Sequence, residues 1–434
     1  MIRASQLTVL VSVAVLVSGV SAWLRNSVTV KPQDEAVPIL QHVAIAFNDV
    51  NRIELQRGDE QLLFERTDGI WWQTQPFACR MDTSSMVALV ERVQGLLLLG
   101  DVSGEVSKEA IGLGQGAHSL SLATTTNKIT IHLGRLMLGG RAYASVDDGV
   151  PVVVSQSLHR LAVETDHRYW RDIRLFPDMA VDIQRIERRI DNDTLVIDQS
   201  SGKWMIREPV SARVHEAALV EWIGRLASLK LGSFVVDEPE DLALFSLLSP
   251  RASIAVTNSA GDTRMLLIGG RVSAGSQDRY VKLNDTPMVF RMQWDALSQL
   301  FPSTEIIAAP TGSGVSLFDV KRIRIAIKNG ETILRRELEA WVDETRGDRV
   351  VDQAEVRQLL EWLLESHPTS VAIGPYPREL QVATITFEGY DRMPMDTVRI
   401  AVQDDGNWIL DNGEHVLRLH PAEAGKVLAH FSTD

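Results

Sequence analysis

The chain contains a serine and a lysine at the spacing that one group of serine hydrolases uses around its nucleophile. Ser200 and Lys203 form a Ser-x-x-Lys motif, which on a helix places the lysine amine one turn from the serine hydroxyl. Here the motif directly precedes Trp204 in a segment predicted to be a hairpin turn, and the Ser-Asp-Asn and Lys-Thr-Gly motifs of those enzymes are absent from the sequence. A turn is the preferred interpretation, and no catalytic nucleophile is predicted.

Three further motifs are equally weak indicators of chemistry. The glycines of residues 112–116 lack the Lys-Ser/Thr pair of a phosphate loop and indicate a flexible connector. Glu164 and His167 form a single Glu-x-x-His pair, whereas a di-metal helical bundle needs two such pairs and two further glutamates. Residues 346–348 read Arg-Gly-Asp, an adhesion tripeptide in some proteins, but a polar turn is the favoured interpretation.

Cysteine, histidine and overall charge narrow the classes of ligand. Cys79 is the only cysteine, which rules out an intramolecular disulfide, and the ten histidines include no His-x-x-x-His pair. We therefore predict no metal site and no cofactor. The net charge of −13 makes nucleic acid an unfavourable partner and disfavours acidic lipid head groups, because both require clustered lysine and arginine.

The strongest pattern is a threefold repeat of Asp-(Val/Ile)-x-Arg-Ile, each copy followed at one fixed interval by a tryptophan. The copies lie about 135 residues apart, which is the size of a small domain and not of one solenoid unit. A binding role for the aspartate and arginine competes with a structural one, in which they start a strand and the tryptophan anchors a core; the structural role is favoured. The repeat-defining residues are Asp49, Arg52, Ile53 and Trp71; Asp182, Arg185, Ile186 and Trp204; and Asp319, Arg322, Ile323 and Trp341.

A long amphipathic helix is predicted in each repeat. Counted from Asp82, His215 and Asp352, the positions +4, +7, +8 and +11 are apolar in all three copies, which is one stripe of a helix. The two aspartates stand where an N-cap carboxylate would accept backbone N–H bonds, whereas His215 is a poor cap.

The remaining pattern of each repeat is one of short alternating strands. Two hairpin strands and a tryptophan-bearing strand precede the long helix, and a four-stranded meander and a second short helix follow it. We therefore predict an α+β fold of three tandem repeats, each a mainly antiparallel sheet with one long and one short helix. The expected boundaries are repeat one, 45–177; repeat two, 178–303; a linker, 304–314; and repeat three, 315–434.

The N-terminus carries an export signal. Residues 7–20 are almost wholly apolar, with Arg3 before them and Arg25 after them. Cleavage after Ala22 and retention as a transmembrane anchor both fit this length, and retention is slightly favoured. Residues 1–25 are thus a signal anchor or signal peptide, and residues 26–44 form a polar stalk. The bulk of the chain is predicted to be periplasmic, either tethered to a bacterial inner membrane by a single span or released if the signal is cleaved.

Several local patterns resemble a known family. They are a turn at 111–113, a Leu-Gly-Gly stretch at 138–140 before Tyr143, and a closing segment at 169–172 in repeat one, with counterparts at 268–270 and 279–281 in repeat two. With the N-terminal segment, they resemble the domain of unknown function 4340 family, across about residues 45–430. The third repeat departs, since it has no Gly-Gly stretch before Asn407 and no closing Trp-Arg-Asp segment.

That resemblance implies a bacterial membrane-anchored extracytoplasmic protein, commonly encoded beside gliding-motility-type ABC transporter components, and it supplies no catalytic residues. We expect a non-enzymatic interaction or scaffold protein whose partners are transporter or envelope subunits. The alternative is an exported envelope hydrolase acting on peptide or glycan, with a site assembled across the repeats. Convergent carboxylates in a cleft between repeats would favour the hydrolase, and flat junctions would favour the scaffold.

Overall fold

The computed structural model of the chain describes residues 37–40, 47–102, 106–177, 182–199, 202–328, 330–338 and 340–431. The chain divides into two compact units, Met1–Asp172 and Ile173–Asp434. The first unit holds repeat one, and the second holds repeats two and three. The predicted N-terminal signal and nearly all of the predicted stalk lie outside the described residues. Among the residues that are described, no helix is both long and apolar enough to cross a bilayer.

Repeat one contains nine strands and one long helix. Its strands alternate buried and exposed side chains, as expected for a sheet with one face on a core. A short helical segment, α2 (Ser157–His159), continues as a π-helical turn at Arg160–Glu164. The other elements are β1 (Arg52–Arg57), β2 (Glu60–Thr67), β3 (Ile70–Gln75), β4 (Cys79–Arg80), α1 (Thr83–Gln94), β5 (Leu98–Asp101), β6 (His118–Ala123), β7 (Lys128–Met137), β8 (Arg141–Val146) and β9 (Val152–Ser155).

Repeat two has the same order of elements and ends in a short helix, α4 (Trp294–Ser298). A further short helix, α5 (Thr304–Ile307), follows it. The preceding elements are β10 (Ile183–Ile190), β11 (Asp193–Asp198), β12 (Met205–Glu208), β13 (Ala212–Arg213), α3 (Glu216–Ser228), β14 (Ser233–Val236), β15 (Ala252–Asn258), β16 (Thr263–Arg271), β17 (Arg279–Leu283) and β18 (Val289–Met292).

Repeat three closes with a 3-10 helix at Ala424–Phe431 in place of the short α-helix. Its other elements are β19 (Arg322–Ile327), β20 (Gly330–Glu337), β21 (Ala340–Asp343), β22 (Arg349–Val350), α6 (Gln353–Leu364), β23 (Ser370–Ile373), β24 (Gln381–Glu388), β25 (Pro394–Val402), β26 (Trp408–Asp411) and β27 (Val416–His420).

The three sheets share one topology. In repeat one the strand order is β4-β3-β2-β1-β6-β7-β8-β9-β5, and repeats two and three have the same order in their own strands. The described strand pairs are antiparallel; in repeat one, Ile53 of β1 faces Phe64 of β2 and Leu122 of β6. The predicted three-repeat, mainly antiparallel architecture is confirmed. The prediction missed two strands per sheet, β4 and β5 in repeat one, because they are only two and four residues long.

The long helix covers one face of each sheet, as its apolar stripe predicted. Asp82 accepts a hydrogen bond from the Ser85 amide at 2.9 Å, and Asp352 accepts one from the Ala354 amide at 2.7 Å. His215 makes no side-chain capping bond. All three expectations for the caps are therefore confirmed. The predicted stripe is buried in α1 and α6, whereas in α3 one of its four members, Ile223, is only partly buried.

Repeat two departs from the other repeats inside its core. The isoleucines of the repeated pentapeptide, Ile53, Ile186 and Ile323, are fully buried in all three copies. Two residues further along the strand, repeats one and three have the buried Leu55 and Ile325. Repeat two has Arg188 there, with its side chain only 1% exposed.

Candidate functional site

The segment between repeats two and three is hydrogen-bonded to both of them. The His215 amide donates to the Ile307 carbonyl at 2.7 Å, and the Ala309 amide donates to the Arg213 carbonyl at 2.9 Å. On the other side, the Ser313 amide donates to the Leu363 carbonyl at 3.1 Å. The residues 304–314 that composition marks as a linker therefore lie in a specific contact between the two repeats.

A buried ionic network joins the same repeats. Glu414 accepts the Arg213 Nε–H at 2.9 Å through Oε1, and accepts an Arg418 guanidinium hydrogen at 2.8 Å through Oε2. Arg418 is fully buried, and its Nε–H donates to the Ala309 carbonyl at 2.9 Å. Burial alone would raise the pKa of Glu414, but the charges of Arg213 and Arg418 outweigh it and hold that pKa below its usual range. Glu414 is thus an ionised bridge and not a proton donor.

Two glycines let the connecting segment pass close to its neighbours. A Cβ on Gly314 would lie 2.9 Å from Cδ of Arg213, and a Cβ on Gly312 would lie 2.9 Å from the Leu363 carbonyl oxygen. Both distances are shorter than side chains normally allow. The glycines that suggested flexibility in the sequence therefore serve close packing at this junction.

Beside the network lies a cavity of about 520 Å³, which we call the junction groove. It is formed by the end of the β11–β12 connection, the start of α3, the connecting segment and the loop after α6. Its lining residues are Gln199, Gly202, Lys203, Trp204, Met205, Arg213, Val214, His215, Glu216, Ala309, Pro310, Thr311, Gly314 and His367.

Two of these residues break the pattern set by the other repeats. The counterparts of Trp204 are Trp71, which is fully buried, and Trp341, which is 7% exposed, whereas Trp204 is only partly buried and lines the groove. His215 occupies the N-cap position at which the other repeats have a capping aspartate. An N-cap aspartate contributes about 1 kcal/mol. Repeat two has lost that contribution, and its histidine lines the groove instead.

The groove combines a tryptophan and a methionine with charged and hydrogen-bonding side chains. Lys203, Glu216, His215 and His367 supply donors and acceptors beside Trp204. Tryptophan, methionine and arginine are enriched in the buried centres of protein interfaces. Among the described lining residues Glu216 is the only carboxylate, whereas glycoside hydrolysis needs two. The arrangement suits recognition of a peptide-like segment better than acid–base cleavage of a glycan.

The repeated Asp and Arg residues are not partners of each other in the part of the chain that the structure describes. Arg52 binds Glu65 at 3.2 Å, Arg185 lies 3.5 Å from Glu187, and Arg322 binds Glu388 at 2.8 Å. The carboxylate of Asp182 accepts the Ser259 hydroxyl. These arginines join neighbouring residues of their own sheets, and Asp49 and Asp319 lie just before those strands. The structure does not gather the repeated residues into one site.

The other sequence motifs also lie within local structure. Arg346 lies 3.7 Å from Asp343, and Asp348 binds Arg335 at 3.1 Å, so both charges of the Arg-Gly-Asp turn are engaged inside repeat three. His167 lies 3.5 Å from Glu60 rather than beside Glu164. Ser200 of the Ser-x-x-Lys motif lies outside the described residues. Over the described ranges, no group of three or more potential ligand side chains is placed to hold a metal ion.

Repeat one has a cleft of its own, with a volume of about 710 Å³. The segment containing Gly112 packs across β7, where the Arg135 amide donates to the Ile111 carbonyl at 2.8 Å. A Cβ on Gly134 would lie 2.6 Å from that carbonyl oxygen. The glycine run is therefore a close-packed crossing and not the flexible connector that its composition suggested. His159 lines the cleft and is buried, and burial lowers its pKa, so its imidazole is neutral at pH 7.

The sequence did not identify the junction groove, because its walls come from four separate stretches of chain. The available signals were local. His215 appeared as an aspartate-to-histidine difference at the cap, and residues 310–314 appeared as a Pro-Gly-Ser-rich stretch. Neither signal indicates that the two segments meet.

Comparison with known families gives one match. Residues 204–375 match the model of a domain of unknown function, DUF4340. No curated protein matches the chain, and no solved structure matches it. The matched residues run from Trp204 through the junction to the loop after β23, and they include all lining residues of the groove except three: Gln199, Gly202 and Lys203. The match confirms the family resemblance drawn from the sequence: this chain carries the DUF4340 domain in residues 204–375.

Proposed function

We propose that the protein is a non-enzymatic interaction protein of the bacterial envelope that binds an extracytoplasmic segment of a partner protein in the junction groove. In this proposal the N-terminal apolar segment tethers the chain to the inner membrane, and the partner is a transporter or other envelope subunit. The DUF4340 match supports the family context but describes no activity.

The observation that carries the proposal is the pair of exceptions in repeat two. Trp204 and His215 both depart from the structural roles that their counterparts have in repeats one and three, and both line the same groove. A position that breaks a local rule of folding without local compensation is a candidate for function. The ionic network of Arg213, Glu414 and Arg418 holds the walls of the groove in place, so that binding would cost little ordering entropy.

The test is affinity capture from cross-linked native membranes, with a tag after Asp434, for the wild-type chain and for His215→Asp. The substitution restores the aspartate cap of the other repeats and is expected to stabilise α3 by about 1 kcal/mol. It also places a negative charge beside Glu216 in the groove. Reduced capture of the partner by a more stable protein cannot be attributed to misfolding.

The expected result is reproducible cross-links from the groove to the same integral membrane subunit, and their loss in His215→Asp. Equal capture by both variants, or recovery of only an unlinked and N-terminally cleaved chain, would contradict the proposal. Asp82→His is the matched control, because it removes the corresponding cap in repeat one and leaves the groove unaltered.

A hydrolase remains the second candidate, supported by the position of Glu216, His215 and His367 around one cavity between repeats. Such a site could bind a water molecule between a carboxylate and an imidazole. Under this alternative, Glu216→Gln abolishes the release of fragments from envelope peptide or glycan by the purified chain. Under the interaction proposal, no such release occurs with either variant.

A further inference from the structure

The sheet of repeat three carries a row of exposed apolar side chains along one end. Three loops meet there: the loop before β19, the β20–β21 turn and the β24–β25 turn, because Arg322 at the start of β19 pairs with Arg335 of β20 and with Glu388 of β24. We call this row the apolar end of repeat three. Its members and their exposures are Leu338 (98%), Tyr390 (88%), Phe318 (77%), Met393 (63%) and Met395 (43%).

A lysine at the centre of this end holds two of the loops together. The Lys321 Nζ donates to the Phe318 carbonyl at 2.7 Å and lies 4.7 Å from the centre of the Tyr390 ring. The Lys321 backbone bonds to both neighbouring strands, through the Glu388 carbonyl and the Arg336 amide. Phe318 and Tyr390 are therefore presented by a bonded framework.

The same end of the other two sheets is polar. The turn corresponding to β24–β25 contains Thr125 in repeat one and Ala260 in repeat two, both exposed and small. The turn corresponding to β20–β21 has Asp68 in repeat one, at a φ of 51° that aspartate tolerates well. Repeat three has Leu338 there at the same φ of 51°, almost fully exposed. Neither the turn geometry nor the core requires a leucine at that position.

We propose that the apolar end of repeat three docks into the headgroup region of a lipid bilayer. The apolar side chains lie on separate convex turns and not in a groove, which suits insertion among lipids better than the seating of a helix or strand. Lys321 and Arg392 flank the tips, and their charges complement the phosphates of lipid headgroups while the aromatic and aliphatic side chains enter the acyl boundary. Neither cation forms an ion pair with a carboxylate among the residues that the structure describes.

This inference rests in part on the proposed tether, since a chain anchored at a membrane keeps repeat three at high local concentration near the lipid. Docking would give the chain a second membrane contact and would fix the orientation of the unit that holds the junction groove. One apolar contact alone gives only reversible binding, and two together give stable attachment.

The experiment uses the full chain in lipid nanodiscs, with an environment-sensitive fluorophore on a cysteine introduced as Met393→Cys. Thr125→Cys and Ala260→Cys are the matched controls, because they stand on the corresponding turns of the other repeats. The native Cys79 is buried and is replaced by serine in all three. Nanodiscs of phosphatidylcholine with and without phosphatidylglycerol separate a general lipid contact from one that needs anionic headgroups.

The expected result is a blue-shifted emission at position 393, quenched by spin-labelled lipid headgroups, with aqueous emission at positions 125 and 260. Adding Tyr390→Ser and Phe318→Ser is expected to abolish the shift. Aqueous emission at 393 in a chain that remains with the nanodisc would overturn the inference. A blue shift without lipid would indicate a second copy of the chain, and one that requires added membrane proteins would indicate a protein partner; either result also overturns it. Failure of the chain to remain with the nanodisc would instead contradict the tether.

Discussion

Replacing Glu414 with glutamine should loosen the junction between repeats two and three. The side chain of Glu414 is 12% exposed and that of Arg418 is fully buried, so the pair lies largely out of water. Breaking a buried pair by removing one partner costs about 3–5 kcal/mol, because the remaining charge is left uncompensated. Arg418 keeps the carbonyls of Ala309 and Val416 as acceptors, which places the expected loss near the lower end, at about 3 kcal/mol.

Hydrogen exchange measures this loss where it occurs. The Ala309 and Ser313 amides bond across the junction, so they exchange when the two repeats separate. A loss of about 3 kcal/mol corresponds to exchange roughly 150-fold faster at these amides. Amides of the central strands of each sheet, such as that of Ile323, should change much less, because the sheets stay folded.

Glu331→Gln is the matched control for this experiment. It removes a carboxylate from the Arg324–Glu331 pair, whose side chains are 38% and 41% exposed. A surface pair of this kind contributes at most about 1 kcal/mol. If Glu414→Gln left the exchange of Ala309 and Ser313 unchanged, or altered it no more than Glu331→Gln does, the ionic network would not hold the junction together.

Three further outcomes follow from particular residues. Arg188→Leu should leave stability unchanged or raise it by about 1–4 kcal/mol in urea unfolding, because the equivalent core positions hold Leu55 and Ile325; a large loss would show that Arg188 has an essential role. Burial lowers the pKa of His420 from 6.5 to about 4, so the unfolded chain binds the proton more readily and stability should fall by about 3 kcal/mol between pH 6.5 and pH 4. This fall should disappear in His420→Gln, and a persistent slope would contradict the assignment. Gly134→Ala should lower the thermal midpoint of repeat one, since its Cβ would lie 2.6 Å from a carbonyl oxygen.

The sequence predicted those features of the fold that depend on one stretch of chain. The stripe of Met86, Leu89, Val90 and Val93 follows from helical spacing, and it is buried as predicted. The caps at Asp82 and Asp352 follow from the preference of carboxylates for free backbone amides. Short edge strands such as β4 were missed, because two residues carry no detectable periodicity.

The candidate site depends on contacts between distant residues, and the sequence did not predict it. Arg213 and Glu414 are about 200 residues apart, and no local pattern shows that they meet. The glycines at 312 and 314 illustrate the ambiguity of composition, since glycine is found both in flexible linkers and at close backbone approaches. The three-dimensional contact decides between these two uses, and here it favours the close approach.

The most direct test of the proposed function is site-specific photo-cross-linking from the junction groove in native membranes. A photoreactive amino acid replaces Lys203 in one variant and Asp68, on the turn before Trp71 in repeat one, in a matched control. The account predicts that position 203 links reproducibly to one envelope or transporter subunit and that position 68 does not. Equal labelling from both positions, or no link from position 203 while the chain is intact and membrane-bound, would contradict the claim that the groove holds a partner.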